Sequence, residues 1–373
     1  MAHMTHCDVL VVGGGVVGLS LAWRLAQRGQ SVAVLDGNTP GRASRAAAGM
    51  LAPLAEARAP SPQVRLGLDS LALYPAFLEE LRAASGLDIA ASGPGMLRVA
   101  QNEREATVLH KSLVWQQNMG LPLEWLDSAA VRQREPALSA HIVGAVFSPR
   151  EQHVAPRRLL DALRLACERA GVCICPTFRL DGLRTEGRRA VGAALPSGFL
   201  EGGQMVIAAG AWTGKFGGDL AHPLPVTPLR GHALTLEAGL PLPITHTIYA
   251  GSGYLVPRSE GHIVVGATEE LSGFDAAPTP DGGSGLRAMA SALVPLTANL
   301  PTHEHWAGLR PVTPDGLPFL GRAPNWDNVF FAAGHGRNGI LLTPLTARLM
   351  TELLLNGTPP PAEVSSTRFG ATP

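Results

Sequence analysis

Two short constellations in the chain have residue types and spacing suited to holding an anionic ligand. Near the start, Gly13-Gly14-Gly15-Val16-Val17-Gly18 satisfies G-x-G-x-x-G, with Asp36-Gly37 further on. Gly13 permits a tight turn, Gly15 lets the backbone approach a pyrophosphate, and Gly18 lets helix and strand pack closely. Phosphates then meet free N–H groups at a helix N-terminus. Asp36 is spaced to accept from ribose hydroxyls, and its acidity argues against a 2′-phosphate. Near the other end, Gly334-His335-Gly336-Arg337-Asn338-Gly339 breaks one apolar run, and Ile340-Leu341-Leu342 opens another. This is a second nucleotide-like turn. His303-Glu304-His305 is H-x-H on an expected strand, not the helical H-E-x-x-H of zinc proteases, so no metal site is expected. No Ser/His/Asp ordering supports a hydrolase.

These turns need rigid elements on either side. Asp8–Val12 is a short β-branched run of the kind that forms buried parallel strands. A helix follows Gly15 and stops at Gly29, and Ser31–Leu35 is the next strand, ending on Asp36. Arg42-Ala43-Ser44-Arg45-Ala46-Ala47-Ala48-Gly49-Met50 is small, basic and Gly-capped. It reads either as a loop offering N–H groups to phosphate or as a small-residue helix packed on the sheet. Gln204–Ala209 is a further buried strand closing on Gly210, and Asn328–Ala333 precedes the second turn. Three strand-to-glycine turns imply one nucleotide domain assembled from separated segments.

Between them, Met96–Val99, Leu229–Leu236, Tyr254–Val256 and His262–Val265 suit a large, mostly antiparallel sheet. Helices are expected over Val64–Ala84, Glu103–Gln117, Pro156–Ala170 and Leu286–Val294, with a long one from Ile340 to about Leu355. The fold class expected is α/β (α+β), a Rossmann-like domain beside a second antiparallel-sheet domain. The division places 4–85, 147–222 and 306–364 in the nucleotide domain, and 86–146 and 223–305 in the other.

Composition agrees. The 373 residues are 46% hydrophobic and 16% charged, with 30 basic and 30 acidic side chains. That balance gives no electrostatic reason to expect nucleic acid or an anionic membrane. Val9–Ala26 is apolar, but its four glycines and helical period read as strand, turn and helix rather than a membrane span. Cys173 and Cys175 alternate on one strand face rather than forming a metal site, and free thiols without a signal peptide fit a reducing cytoplasm.

Together these segments resemble the FAD-dependent D-amino acid oxidase superfamily, and within it the branch that oxidises glycine for bacterial thiamine biosynthesis. The matching residues are the Gly13–Gly18 fingerprint with Asp36, Ala46–Leu51, His153–Pro156, Tyr254–Arg258, Val264–Thr268, Trp306–Pro311 and Ala332–Leu341. The resemblance spans Asp8 to Leu355, and Trp-Ala-Gly-Leu-Arg-Pro and Gly-His-x-Arg-Asn-Gly are its most specific parts. It implies FAD, bound without a covalent link, since similar sarcosine oxidases attach flavin through a C-terminal cysteine and no cysteine follows Cys175. The residues it places at the cofactor are Gly13, Gly15, Val16, Val17, Gly18, Asp36, Gly37, Arg42, Ala43, Ser44, Ala48, Gly49, Met50, Phe178, Gly210 and His335 through Leu341, namely His335, Gly336, Arg337, Asn338, Gly339, Ile340 and Leu341.

The same resemblance assigns the substrate side. Arg310 supplies the planar, always-charged fork that a carboxylate needs. Tyr254 adds a phenol hydrogen bond to that carboxylate, and Arg337 touches substrate and isoalloxazine. The implied reaction is hydride transfer from the α-carbon of a neutral amine to flavin N5, giving glyoxylate, ammonia and hydrogen peroxide. It should run better at raised pH. Sarcosine, another N-substituted glycine or a small D-amino acid is the alternative substrate; an FAD dehydrogenase with another electron acceptor is a more distant reading. The partners implied are a small amino acid and oxygen, with no nucleic acid and no membrane, and a homo-oligomer, tetramer or dimer. The chain departs from the pattern twice. Ser252 stands where a His is usual, and Glu269-Glu270 stands where an apolar residue is usual; both changes alter the width or polarity of the pocket.

Overall fold

The computed structural model describes residues 5–91, 93–176, 183–195, 198–217, 220 and 224–369. Phe178, expected near the cofactor, lies outside the described residues.

One sheet is built around His6–Val12, which pairs in parallel with Val32–Asp36 on one side and Gly198–Ile207 on the other. Val329–Ala333 extends it in parallel beyond Gly198–Ile207, and Cys173–Pro176 beyond Val32–Asp36. Strand alternation sends successive side chains to opposite faces. Val9 and Val11 pack with Leu19, Ala22 and Trp23 of helix Val16–Gln27. Leu10 and Val12 pack with Met205, Ile207 and Phe331 on the other face. Both faces are therefore covered, which is why the strand reads as an unbroken apolar run. The parallel strands Val32–Asp36, His6–Val12, Gly198–Ile207 and Val329–Ala333 lead on to Gly37, Gly13, Gly210 and Gly334, so the turns share one edge of the sheet.

The second sheet runs in the order Thr302–Val312, Thr227–Glu237, His262–Gly266, Gly253–Arg258, Thr247–Ala250, Met96–Ala100, Gly144–Ser148 and Glu124–Asp127. All neighbours are antiparallel except Thr247–Ala250 with Met96–Ala100. The fold is thus the mixed α/β arrangement of the FAD-binding class expected from sequence. Two of the expected domain boundaries fall inside strands of this sheet, Gly144–Ser148 and Thr302–Val312.

Two helices start elsewhere than the periodicity suggests. The one expected over Leu286–Val294 runs from Pro280 to Leu293, because Thr279 caps it by accepting from the Gly282 N–H and Pro280 opens its first turn. Its glycines hide it from an apolar-period reading. Two of them lie close to the sheet: a Cβ on Gly282 would meet the His232 ring at 2.7 Å, and one on Gly283 the His305 ring at 3.0 Å. The C-terminal helix begins at Thr343, not Ile340, and runs to Asn356. Pro344 fits only in a first turn, and Gly336–Asn338 ahead of it is a separate 3₁₀ turn. The Arg42–Met50 segment resolves into one helical turn, Ala43–Ala46, and a short strand, Met50–Leu51, paired with Gln152–His153.

Candidate active site

The turns at the sheet edge open into one cavity of about 1250 Å³ that extends to the second sheet. Gly13, Gly15, Val16, Val17, Asp36, Gly37 and Ser44 line one end. Gly13 sits at φ +122°, and a Cβ there would meet the Ala208 carbonyl oxygen at 2.2 Å. A Cβ on Gly18 would meet the Gly13 carbonyl oxygen at 1.9 Å. Gly18 therefore does not line the cavity; it lets the helix approach the turn. The Val16 N–H donates to Ser44 Oγ at 3.1 Å, which joins the Ala43–Ala46 turn to the fingerprint. Space kept free of side chains by glycines, a helix N-terminus and a hydroxyl meet here, as a pyrophosphate requires.

Asp36 is buried, and its carboxylate is more heavily engaged than the sequence suggests. Arg42 donates Nη1 to both oxygens at 2.8 and 2.9 Å, and Arg164 donates Nη2 at 2.8 Å. Arg42 is thus turned to a carboxylate of the protein. Ala48, Gly49 and Met50 line the cavity further along. Their segment is held by its backbone: Trp306 Nε1 donates to the Ala46 carbonyl at 3.0 Å, and Arg258 donates to Ala48 and Val154 carbonyls. Burial pulls the Arg258 guanidinium down to about 10.

At the opposite end two cross-strand glycines make room for two large polar side chains. Arg310 lies over Gly231, where a Cβ would come within 2.2 Å of its Nη1. Tyr254 lies over its strand partner Gly266, where a Cβ would come within 2.3 Å of the phenol oxygen. Arg310 donates to the Thr268 carbonyl at 3.0 Å. Among the described residues no carboxylate pairs with it within ion-pair distance. Burial pushes its pKa down, with Tyr254 opposing, and burial pushes the Tyr254 phenol up against the lowering effect of Arg310. A half-buried guanidinium and a protonated phenol facing one space form a receptor for a carboxylate.

Arg337 borders the same space, together with His335, Gly336, Asn338, Gly339 and Ile340. It is paired on one side with Glu56 and on the other with Glu269. Burial draws its pKa down, but the two carboxylates outweigh that and hold it above the ordinary value. Leu341 is turned away into the core, packing close to Gly67, and its carbonyl accepts from Ser70 Oγ at 2.6 Å. His335 is buried, bonded through Nε2 to Thr346 Oγ1 at 2.9 Å, and burial lowers it to about 4.

Glu56, Tyr249 and Arg164 escaped the sequence reading. Tyr249 stands directly across the hairpin from Tyr254, so its position was implicit in that pairing. Burial raises its phenol pKa, as does the neighbouring Glu56. Glu56 rides on an irregular turn whose backbone is gripped from beneath. The Leu54 N–H donates to Glu151 Oε1 at 2.7 Å, and its carbonyl accepts from Arg98 at 3.0 Å. Among the described residues, no cluster of three His, Cys, Asp or Glu could hold a metal, and no helix is long and apolar enough to cross a membrane.

Residues 8–353 match the family model for FAD dependent oxidoreductases. The chain is 38% identical to the glycine oxidase of Geobacillus kaustophilus over 94% of each chain. The crystal structure of glycine oxidase from that organism superposes with a TM-score of 0.92, covering 98% of this chain and 99% of the other. A bifunctional ThiO/ThiG protein of Trichormus variabilis is 35% identical over 93% of this chain and 52% of its own length. Iminodiacetate oxidase from Chelativorans sp. BNC1 is 26% identical, with a TM-score of 0.87, covering 96% of this chain and 98% of the other. The cavity's glycine turns and its length suit FAD.

Proposed function

Because the chain belongs to the FAD dependent oxidoreductase family, we propose that it oxidises the carbon–nitrogen bond of glycine, yielding glyoxylate, ammonia and hydrogen peroxide. The observation that carries this reading is the pair Arg310 and Tyr254, set over Gly231 and Gly266 at the far end of the nucleotide cavity. The 38% identity to a glycine oxidase names the substrate. Bound FAD supplies the hydride acceptor and passes the electrons to oxygen.

The chain's own residues bind and orient. Gly13 through Val17 and Ser44 hold the pyrophosphate end. Asp36, fixed by Arg42 and Arg164, accepts from ribose hydroxyls. Arg310 and Tyr254 take the substrate carboxylate, which points the α-carbon along the cavity toward the turn His335–Ile340. Catalysis here is orientation of the substrate along the cavity, and no side chain is needed to abstract the α-proton. Similarity to the ThiO/ThiG protein supports supply of thiamine thiazole synthesis as the role. The four free thiols support a cytoplasmic setting, and a homo-oligomer, dimer or tetramer, is the assembly we assign.

Sarcosine, another N-substituted glycine or a small D-amino acid is a second reading. It is favoured by Ser252, set between Gly251 and Gly253 where a Cβ on Gly251 would meet nothing within 4 Å. Anaerobic mixing of the purified yellow protein with glycine, sarcosine, D-alanine and D-proline separates these. Glycine should bleach the flavin most efficiently, and no bleaching by any of the four would overturn the assignment.

A further inference from the structure

The segment after Gly266 is extended and fastened on one side. Thr268 Oγ1 accepts from the His232 N–H at 3.0 Å, and Glu270 exchanges both backbone hydrogen bonds with Arg230 at 2.9 Å. The Glu270 carboxylate also accepts from Arg230 Nη2 at 2.6 Å and Nε at 3.1 Å. Alternation along an extended segment then turns Glu269 the opposite way. It faces the cavity and closes on Arg337. From the other wall Glu56, on the turn gripped at Leu54, closes on the same guanidinium.

The consequence is a charge count. Arg337 has both ends of its fork taken by carboxylates, whereas Arg310 bonds only to carbonyl oxygens among the described residues. One incoming carboxylate completes Arg310. A second must either displace a glutamate from Arg337 or lie beside two like charges in a half-enclosed space of reduced dielectric. Deepening the reading of this cavity as an amino-acid oxidase site, on which it rests, we propose that Glu269, with Glu56, fixes the substrate class by occupying Arg337. The site takes amines bearing a single carboxylate and rejects N-carboxymethyl amines bearing a second.

The test uses the flavin-loaded protein and its Glu269→Gln variant, which keeps the side chain's shape and removes its charge. Two readouts are compared. One is the ratio of kcat/KM for iminodiacetate to that for glycine. The other is the dissociation constant of the unreactive analogues glycolate and diglycolate, read from perturbation of the flavin absorbance. The parent should prefer glycine and bind glycolate more tightly than diglycolate. In Glu269→Gln both preferences should shift toward the dicarboxylate by roughly two- to fivefold, the scale of one partly exposed charge contact. Adding Arg337→Met to that variant should cancel the gain, which a merely structural role for Glu269 would not produce. A parent that handles the dicarboxylates as well as the monocarboxylates, or a variant with unchanged preferences, overturns the proposal. If glycine fails to bleach the parent at all, the proposed activity falls instead, and the glycolate–diglycolate comparison still decides the charge argument.

Discussion

Arg310 is a half-buried cation whose hydrogen bonds end on backbone carbonyls, so its field is free to act on an incoming anion. Burial alone would lower its pKa, and the facing Tyr254 phenol raises it. Replacing it by Leu leaves the substrate carboxylate desolvated without a partner, which costs roughly 2–5 kcal/mol. The Arg310→Leu variant should therefore lose about a hundredfold or more in kcat/KM for glycine. It should still copurify with FAD, because the residues lining the pyrophosphate end lie at the other end of the cavity. Steady-state kinetics beside the flavin absorbance spectrum checks both halves, and retained turnover refutes the role. The two glycines beneath these side chains make the same point from below. Any side chain at 231 or 266 would occupy the volume that Arg310 or Tyr254 fills.

The elements that present the site are anchored by groups that never reach it. Arg98 and Glu151 are both buried; desolvation lowers the guanidinium's pKa and raises the carboxyl's, and each opposes the other's shift. Together they grip the two backbone groups of Leu54 and so fix the turn that carries Glu56. Glu151→Leu leaves Arg98 buried without its counter-charge, an arrangement that costs about 3 kcal/mol or more. Urea unfolding of that variant should show this loss. A midpoint equal to the parent's contradicts the anchoring role. Such anchors mark the limit of what the sequence discloses. The Gly13–Gly18 turn, its flanking strand and helix, and the strand–glycine turns at Gly210 and Gly334 are legible because each is set by neighbours within a few residues. Glu56 and Arg337 are 281 positions apart, and nothing in either segment alone marks the meeting. The start of helix Pro280–Leu293 was hidden for a different reason. Close approach to His232 and His305 leaves no room for side chains at Gly282 and Gly283, and with Gly285 these glycines erase the apolar period on which a helix reading depends.

At the scale of the whole molecule, acid should loosen the structure through its buried imidazoles. Desolvation holds His335 at about 4, and desolvation with the Arg258 charge holds His153 at about 3, against 6.5 for the free side chain. Both folded values are depressed, so between about pH 6.5 and 4 the unfolded chain binds protons that the folded chain refuses. Stability then falls as pH falls through that window, by on the order of 3 kcal/mol for His335 alone. Thermal melts of the holoprotein from pH 7 to 4 should show a declining Tm, and His335→Asn should flatten part of the decline; a slope unaffected by that change refutes the assignment. The parallel sheet carries a last consequence, one of timing. Its central strand His6–Val12 lies beside Gly198–Ile207, which in turn lies beside Val329–Ala333. During synthesis the first strand leaves the ribosome long before Gly198–Ile207 and Val329–Ala333 exist, and its Leu10 and Val12 face must wait uncovered. No part-made chain owns the complete cavity, which closes only once translation has delivered the His335–Ile340 turn that lines it.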